Sequence, residues 1–125
     1  MDDFNLQKQT NMIAVIFEAI PAEGKWDAYL DIAGRLRPEL DKVEGFISIE
    51  RFQSMANPGK VLSLSFWKDE ASIAQWRNME FHRMAQKEGR SSIFEDYRIR
   101  IASVVRDYGM TNRDQAPIDS KIIHH

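Results

Sequence analysis

Residues 12–20 (MIAVIFEAI) form a nearly continuous apolar run that contains one charge, Glu18. The run is rich in β-branched residues, is far too short to cross a membrane, and is closed by Pro21. A short apolar run of this kind is typical of a β-strand buried on both faces. We therefore expect a central strand with protein on both sides, and Glu18 is the residue in it that needs an explanation.

The next segment, residues 22–43, changes to a helical period. Its apolar residues recur at steps of three and four, which predicts an amphipathic helix; they are Trp26, Tyr29, Leu30, Ala33, Leu36, Leu40 and Val43. Pro38 interrupts this pattern, so we expect a kink or a restart near Arg37. Gly45 stands where the helix has to stop.

The rest of the chain predicts a hairpin, a second helix and a fourth strand. Residues 46–52 and 61–67 alternate as strands around an Asn57-Pro58-Gly59 turn. Asp69 is a suitable N-cap for a helix that carries Ile73 and Trp76, with a second segment around Phe81, Met84 and Ala85. Residues 90–94 are predicted to be a loop and residues 97–108 a long fourth strand.

The predicted order of elements, β-α-β-β-α-β, is the ferredoxin-like α+β arrangement, an antiparallel sheet with two helices on one face. The first and fourth strands carry apolar residues on both faces, yet helices cover only one of them. Because the other face needs a cover, we expect a homodimer that packs sheet against sheet.

The composition of the chain argues against several classes of function. The chain has 17 Lys and Arg against 19 Asp and Glu, a net charge of −2, which speaks against a nucleic-acid partner. It has no cysteine, so disulfides, thiolate nucleophiles and thiolate metal sites are excluded. Residues 1–11 are polar and lack the pattern of a signal peptide, and no membrane partner is expected. These features predict a cytoplasmic protein.

Several motifs resemble the antibiotic biosynthesis monooxygenase (ABM) domain family, in particular its haem-degrading-monooxygenase-like branch. They are Phe66-Trp67-Lys68-Asp69-Glu70, Ile73, Trp76-Arg77-Asn78, His82-Arg83-Met84-Ala85-Gln86, Gly89-Arg90, Asp96-Tyr97-Arg98-Ile99-Arg100 and Arg106-Asp107-Tyr108-Gly109. The resemblance implies a dimeric α+β barrel. It divides the chain into a polar leader at 1–11, an ABM-like domain at 12–109 and a C-terminal tail at 110–125.

The resemblance is incomplete at the positions that carry chemistry in the family. Haem-degrading members use an Asn on the first strand, a Trp and a downstream His; Trp76 matches the Trp, no Asn lies in residues 12–20, and His82 lies closer than that ligand. Polyketide-oxygenating members pair an Asn with a Trp at the end of the third strand. Trp67 matches that Trp, while Ser63 occupies the position of the Asn.

Each candidate site residue has a functional and a structural interpretation. Trp67 and Trp76 are walls of an aromatic pocket, lined also by Phe17 and Phe81, or they fill the core. Glu18 is a general base, or it forms an ion pair with Arg98, Arg100 or Arg106. His82 is a proton shuttle or haem ligand, or a surface residue. Arg100 binds an anionic group of the substrate, or it serves the dimer interface.

Three functions follow from these alternatives. The first is a cofactor-independent monooxygenase that uses dioxygen on a small aromatic or quinol-like substrate, with Glu18 and His82 as catalytic residues and no metal. The second is a haem-binding or haem-degrading monooxygenase. The third is a non-catalytic dimeric module that binds a small hydrophobic molecule. His124 and His125 are excluded from the chemistry because a terminal His pair is typical of a purification remnant.

Overall fold

A computed structural model describes residues 12–88 and 93–123 of the chain, with the backbone alone at 80–88 and 121–123. The predicted leader at 1–11 and the pair His124 and His125 lie outside the described residues. The elements in order are β1 (Ile13–Pro21), α1 (Trp26–Leu40), β2 (Phe46–Gln53), β3 (Val61–Trp67), α2 (Glu70–Glu88), β4 (Phe94–Ser103) and a short α3 (Ile118–Ile123). None of the described helices is long and apolar enough to traverse a lipid bilayer.

The four strands form one antiparallel sheet in the order β2-β3-β1-β4. This is the predicted ferredoxin-like α+β arrangement, and the prediction is confirmed. The apolar run around β1 lies at the centre, where it pairs with β3 on one side and β4 on the other.

The register assigns each residue to one of two faces. The odd-numbered residues of β1 pack against the helices, and their partners on β3 and β4 share that side, which we call the helix face. The even-numbered residues, Glu18 among them, lie on the opposite side, which we call the open face. Phe17 and Glu18 therefore project from opposite sides of the sheet.

The core lies between α1, the start of α2 and the β3 side of the helix face. Its buried members are Ala19, Tyr29, Ile32, Leu36, Leu40, Val43, Val61, Trp67, Ile73, Trp76 and Ile93. The spacing of Tyr29, Leu36 and Leu40 is the apolar stripe that the sequence predicts for α1. The helices thus cover β3 more fully than β1 and β4.

The predicted bounds of the fourth strand are wrong. The strand spans Phe94–Ser103 rather than 97–108: its partner β1 begins at Ile13, which pairs with Ser103, and past this pair the described ladder has one more backbone hydrogen bond, from Val104 N–H to the carbonyl of Met12 at 3.0 Å. Of the two expectations for Pro38, the restart is wrong, because α1 runs through this residue from Trp26 to Leu40, and the kink stays a prediction. Proline removes only one helical hydrogen bond, and the remaining bonds continue α1 to Leu40.

Two local structures are as predicted. Asp69 caps α2, since its Oδ1 accepts a hydrogen bond from the backbone N–H of Ser72 at 2.9 Å. The hairpin turn closes where Asn57 Oδ1 accepts a bond from the N–H of Gly59 at 3.2 Å, and Lys60 N–H donates to the carbonyl of Asn57 at 2.9 Å. This turn sets Lys60 at the start of β3, beside the end of β1.

Candidate functional site

The helix face has an uncovered apolar half along β1 and β4. On β4, Tyr97, Ile99 and Ile101 are 54%, 50% and 44% exposed although they point to the side that carries the helices. Their partners on β1 in the same rows, Val15 and Phe17, are only partly buried. We call this strip of five residues the cleft. Large apolar side chains left open on a helix-covered side form an apolar surface that suits contact with a small molecule.

Aromatic rings close one end of the cleft. Phe17 lies 5.5 Å from Phe94 and 5.7 Å from Tyr97, measured between ring centroids, and Phe94 lies 5.6 Å from Tyr97. Tyr29 of α1 extends this group, with its ring 5.7 Å from that of Phe94. Edge-to-face and tilted contacts of this kind are favourable arrangements of aromatic pairs, so the cleft has an aromatic end against which a planar or cyclic molecule can pack.

Polar side chains lie on the helix face at β2 and β3, next to the cleft. Arg51 of β2 donates a hydrogen bond from Nε to the phenol oxygen of Tyr29 at 3.2 Å. Ser63 lies between Arg51 and Phe17 in the register and is 7% exposed. The sequence did not reveal Arg51 and Tyr29 as site residues, because the two are 22 positions apart and only the fold brings them together.

Both candidate tryptophans lie in the core. Trp67 is 1% exposed, donates from Nε1 to Ser65 Oγ at 2.8 Å, and packs edge-on against Phe46. Trp76 is 8% exposed in the same cluster. The burial of both indoles fits the structural interpretation, and their role as walls of a pocket stays a prediction. Phe81 and His82 belong to α2, and their side chains lie outside the described residues.

Glu18 forms a charge cluster on the open face. Its carboxylate lies 3.2 Å from Lys60 Nζ and 3.1 Å from Arg100 Nη1. The hydrogen bond and charge of Lys60, followed by those of Arg100, hold the pKa of Glu18 below its ordinary value of 4.5. The ion pair with Arg100 is therefore confirmed, and Lys60 is a second partner that the sequence pattern did not reveal.

The other two arginines considered as partners of Glu18 have different places. Arg98 sits directly opposite Glu18 in the register without an ion pair among the described side chains, and Arg106 lies beyond the end of β4. Glu18, Lys60 and Arg98 line a shallow depression of about 120 Å³ together with Ile20, Asp96 and Tyr97. A depression this small and open does not enclose a substrate.

The structure thus divides the predicted site residues between two faces. Phe17 is part of the cleft, Trp67 and Trp76 lie in the core beside it, and Glu18 and Arg100 are paired on the open face. Among the side chains that the structure describes, no group of three His, Asp or Glu residues could hold a metal ion.

A four-stranded βαββαβ sheet with an apolar cleft on its helix face defines the class, the ferredoxin-like α+β fold of dimeric α+β barrel proteins. Within that class, the model of the antibiotic biosynthesis monooxygenase family matches residues 12–88, more than half of the sequence, and the chain belongs to this family. This family model does not distinguish the branches of the family, so membership of the haem-degrading branch stays a prediction.

Relatives and solved structures agree with this assignment. The jasmonate monooxygenase ABM of Pyricularia oryzae is 50% identical over 93 residues, which are 74% of this chain and 43% of that protein. The chain therefore spans less than half the length of this relative. Protein YqjZ of Bacillus subtilis is 28% identical over 106 residues, 85% of this chain and 90% of that protein.

Among solved structures, Rv0793 of Mycobacterium tuberculosis has a TM-score of 0.67 at 11% identity, over 78% of this chain and 99% of that one. SnoaB, a cofactor-independent oxygenase from Streptomyces nogalater, has a TM-score of 0.63 at 7% identity, over 78% and 97%. At these identities the likeness shows the fold alone.

Proposed function

We propose that the chain is a monooxygenase that binds a small, largely apolar molecule in the cleft and oxygenates it with dioxygen. The observation that carries the proposal is the exposure of Tyr97, Ile99 and Ile101 on the helix face of β4. Membership of the ABM family and 50% identity to a jasmonate monooxygenase support the type of reaction.

The reaction that we propose needs no cofactor because the substrate supplies the electrons. A base removes a proton from a phenol hydroxyl, or from an activated CH₂ group beside a carbonyl, and the electron-rich carbon that results reduces dioxygen. A peroxide forms at that carbon; loss of water then leaves a carbonyl, with one oxygen atom in the product and the other in water. A water-poor apolar cleft favours this sequence, since it protects the electron-rich carbon from being protonated.

The two proposed bases differ in suitability. Glu18 is held in ion pairs on the open face and its pKa is lowered, so it is a weak base and lies on the other side of the sheet from Phe17. His82, on the second half of α2, is the base to test first, because an ordinary histidine titrates near neutral pH. A His82→Gln variant should lose turnover, while Glu18→Gln should retain most of it.

The substrate class predicted from the sequence is a small aromatic or quinol-like molecule, and the name of the Pyricularia relative adds a cyclic ketone to it. Jasmonate, the substrate named for the Pyricularia relative, is a cyclopentanone with acidic C–H groups and an apolar chain, so it belongs in any panel beside hydroquinones and phenols. A product with one new oxygen atom from any of these compounds would identify the group that the cleft accepts.

Oxygen uptake with variants of the cleft tests the proposal. Ile99→Lys places a charge on the floor of the cleft, and we expect kcat/KM to fall at least about tenfold because an apolar substrate loses its contact surface. Ile118→Lys is the control, since Ile118 is the same apolar residue and is also exposed, at 74% against 50% for Ile99, but lies on α3. Equal loss in both variants, or none in either, would refute the cleft as the site.

Two other results would select the alternative functions. Binding without oxygen uptake for every compound would leave the non-catalytic small-molecule module. A stoichiometric Soret band on haemin titration that depends on His82 would favour the haem-degrading branch.

A further inference from the structure

Arg51 is a half-buried cation that has no counter-charge among the described residues. Its guanidinium donates one hydrogen bond, from Nε to Tyr29, and within the described part of the chain no carboxylate pairs with it. A guanidinium that is partly removed from water gains strongly from an anionic partner, and its two Nη groups present a fork that matches a carboxylate.

Ser63 adds a second polar group at the same position of the sheet. It pairs with Arg51 on one side and with Phe17 on the other, and its hydroxyl has no hydrogen bond among the described residues. No fully buried side-chain polar atom in that part of the chain is left unsatisfied. The Ser63 hydroxyl, on the helix face, is therefore not fully enclosed and can bind a group placed there.

We propose that Arg51 and Ser63 bind the carboxylate of the substrate, which makes the preferred substrate a small apolar carboxylic acid. This inference rests on the proposed function of the cleft and specifies which end of the molecule the protein recognises. Tyr29 acts as a positioning residue, because its phenol oxygen fixes the Nε side of the guanidinium and leaves the Nη groups for the ligand.

The dimensions of the sheet suit this orientation. One register row runs across the helix face through Arg51, Ser63, Phe17 and Ile99, and changes from charged to polar to apolar. Neighbouring strands are about 4.8 Å apart, so Arg51 and Phe17 are separated by about 10 Å, the length of a small acid with a ring and a short chain. The carboxylate then lies at β2 and the apolar end over β1 and β4.

No acidic side chain on this row competes for Arg51. Glu50, its neighbour in sequence, lies on the open face, and Asp31 of α1 is paired with Arg35 at 3.0 Å. A carboxylate brought by a ligand is therefore the anion that completes the site.

Binding of acids and their methyl esters to the full chain tests the inference. Jasmonic acid, octanoic acid and their methyl esters are titrated by calorimetry, without dioxygen chemistry. We expect each acid to bind at least about tenfold more tightly than its ester, since hydrogen bonds to a charged group are stronger than those to a neutral ester. The acid-to-ester ratio should fall to about one in Arg51→Gln, and only partly in Ser63→Ala and Tyr29→Phe.

The controls separate this inference from the proposed reaction. Arg35→Gln removes an exposed arginine of α1 and should leave the ratio unchanged, and Arg51→Lys should restore part of it. An equal affinity for acid and ester in the unmodified chain, a ratio retained in Arg51→Gln, or no binding of either acid at millimolar concentration would overturn the inference. Failure of oxygen uptake with normal discrimination between acid and ester would refute the reaction alone.

Discussion

The interpretation of Glu18 depends on the residues that surround it in the fold. In the sequence it is the one charge in an apolar strand, which suggests either a catalytic base or a buried ion pair. In the structure it sits on the open face with Lys60 and Arg100, and its partly exposed carboxylate is satisfied by two cations. The ion pair accounts for the residue without a role in the reaction.

The lowered pKa of Glu18 makes stability depend on pH. Because the folded pKa lies below the ordinary value of 4.5, the stabilisation is present above that value and is lost as the pH falls through the folded pKa. We expect Glu18→Gln to have a lower Tm than the unmodified chain at pH 7, with the difference shrinking between about pH 5 and about pH 2. The effect is modest, since both cations are solvent-exposed.

Glu50→Gln serves as the control for this experiment, because Glu50 is an exposed glutamate of β2 on the same face. Thermal unfolding followed by circular dichroism over the pH range measures both variants. If the Tm difference of Glu18→Gln were constant with pH, the ion pairs with Lys60 and Arg100 would not be the source of the stabilisation.

At the scale of elements, the connection from α1 into β2 depends on one glycine. Gly45 has φ +98°, a conformation that favours glycine, and a Cβ at this position would collide with the side chain of Ser72 in α2. Ser72 Oγ lies 2.8 Å from the carbonyl oxygen of Glu44 and from Asp69 Oδ1. The start of α2 is thus attached to the start of β2 through a close approach of backbone and side chain.

Alanine at two glycines should therefore have opposite effects. Gly45→Ala is expected to lower the free energy of unfolding by about 1–3 kcal/mol, through strain at positive φ and the collision with Ser72. Gly34→Ala, at an exposed position of α1 with open space around it, should raise it by about 0.5–1 kcal/mol. Urea unfolding measures both, and a neutral Gly45→Ala would contradict the described junction.

Periodicity predicted every element of the sheet and both long helices, because Val, Ile and Phe alternation and the α1 stripe are local signals. The end of β4 was not predictable in this way, since Ser103 is the last residue only because β1 starts opposite it. The residues of the candidate site were harder to predict from the sequence than the ends of the strands. Which residues share a face with Phe17 depends on strand order and register, so the pair of Arg51 with Tyr29 and the place of Lys60 became visible only in the fold.

The whole molecule leaves the open face of its sheet partly apolar. Leu62, Leu64 and Phe66 of β3 lie there beside Ile16 of β1, and Phe52 of β2 is exposed next to them. An apolar sheet face of this kind requires a cover, and a second copy of the chain remains our proposal for it.

Light scattering tests the dimer. We expect a mass of about twice 14.6 kDa for the unmodified chain, and a shift towards the monomer mass for Leu64→Glu, which introduces a charge at the centre of the open face. Met55→Glu, at a fully exposed position of the β2–β3 turn, should remain dimeric. A monomer mass for the unmodified chain at micromolar concentration would contradict the proposal.

The proposed function requires that dioxygen oxygenates the substrate within the cleft. The most direct measurement is mass spectrometry of the product after the metal-depleted chain is incubated with jasmonic acid, or with a hydroquinone, under ¹⁸O₂ and without added reductant. We predict a product that carries one labelled oxygen atom, and loss of that product in Ile99→Lys but not in Ile118→Lys. An unlabelled product, or a reaction that proceeds only when an external reductant is supplied, would contradict it.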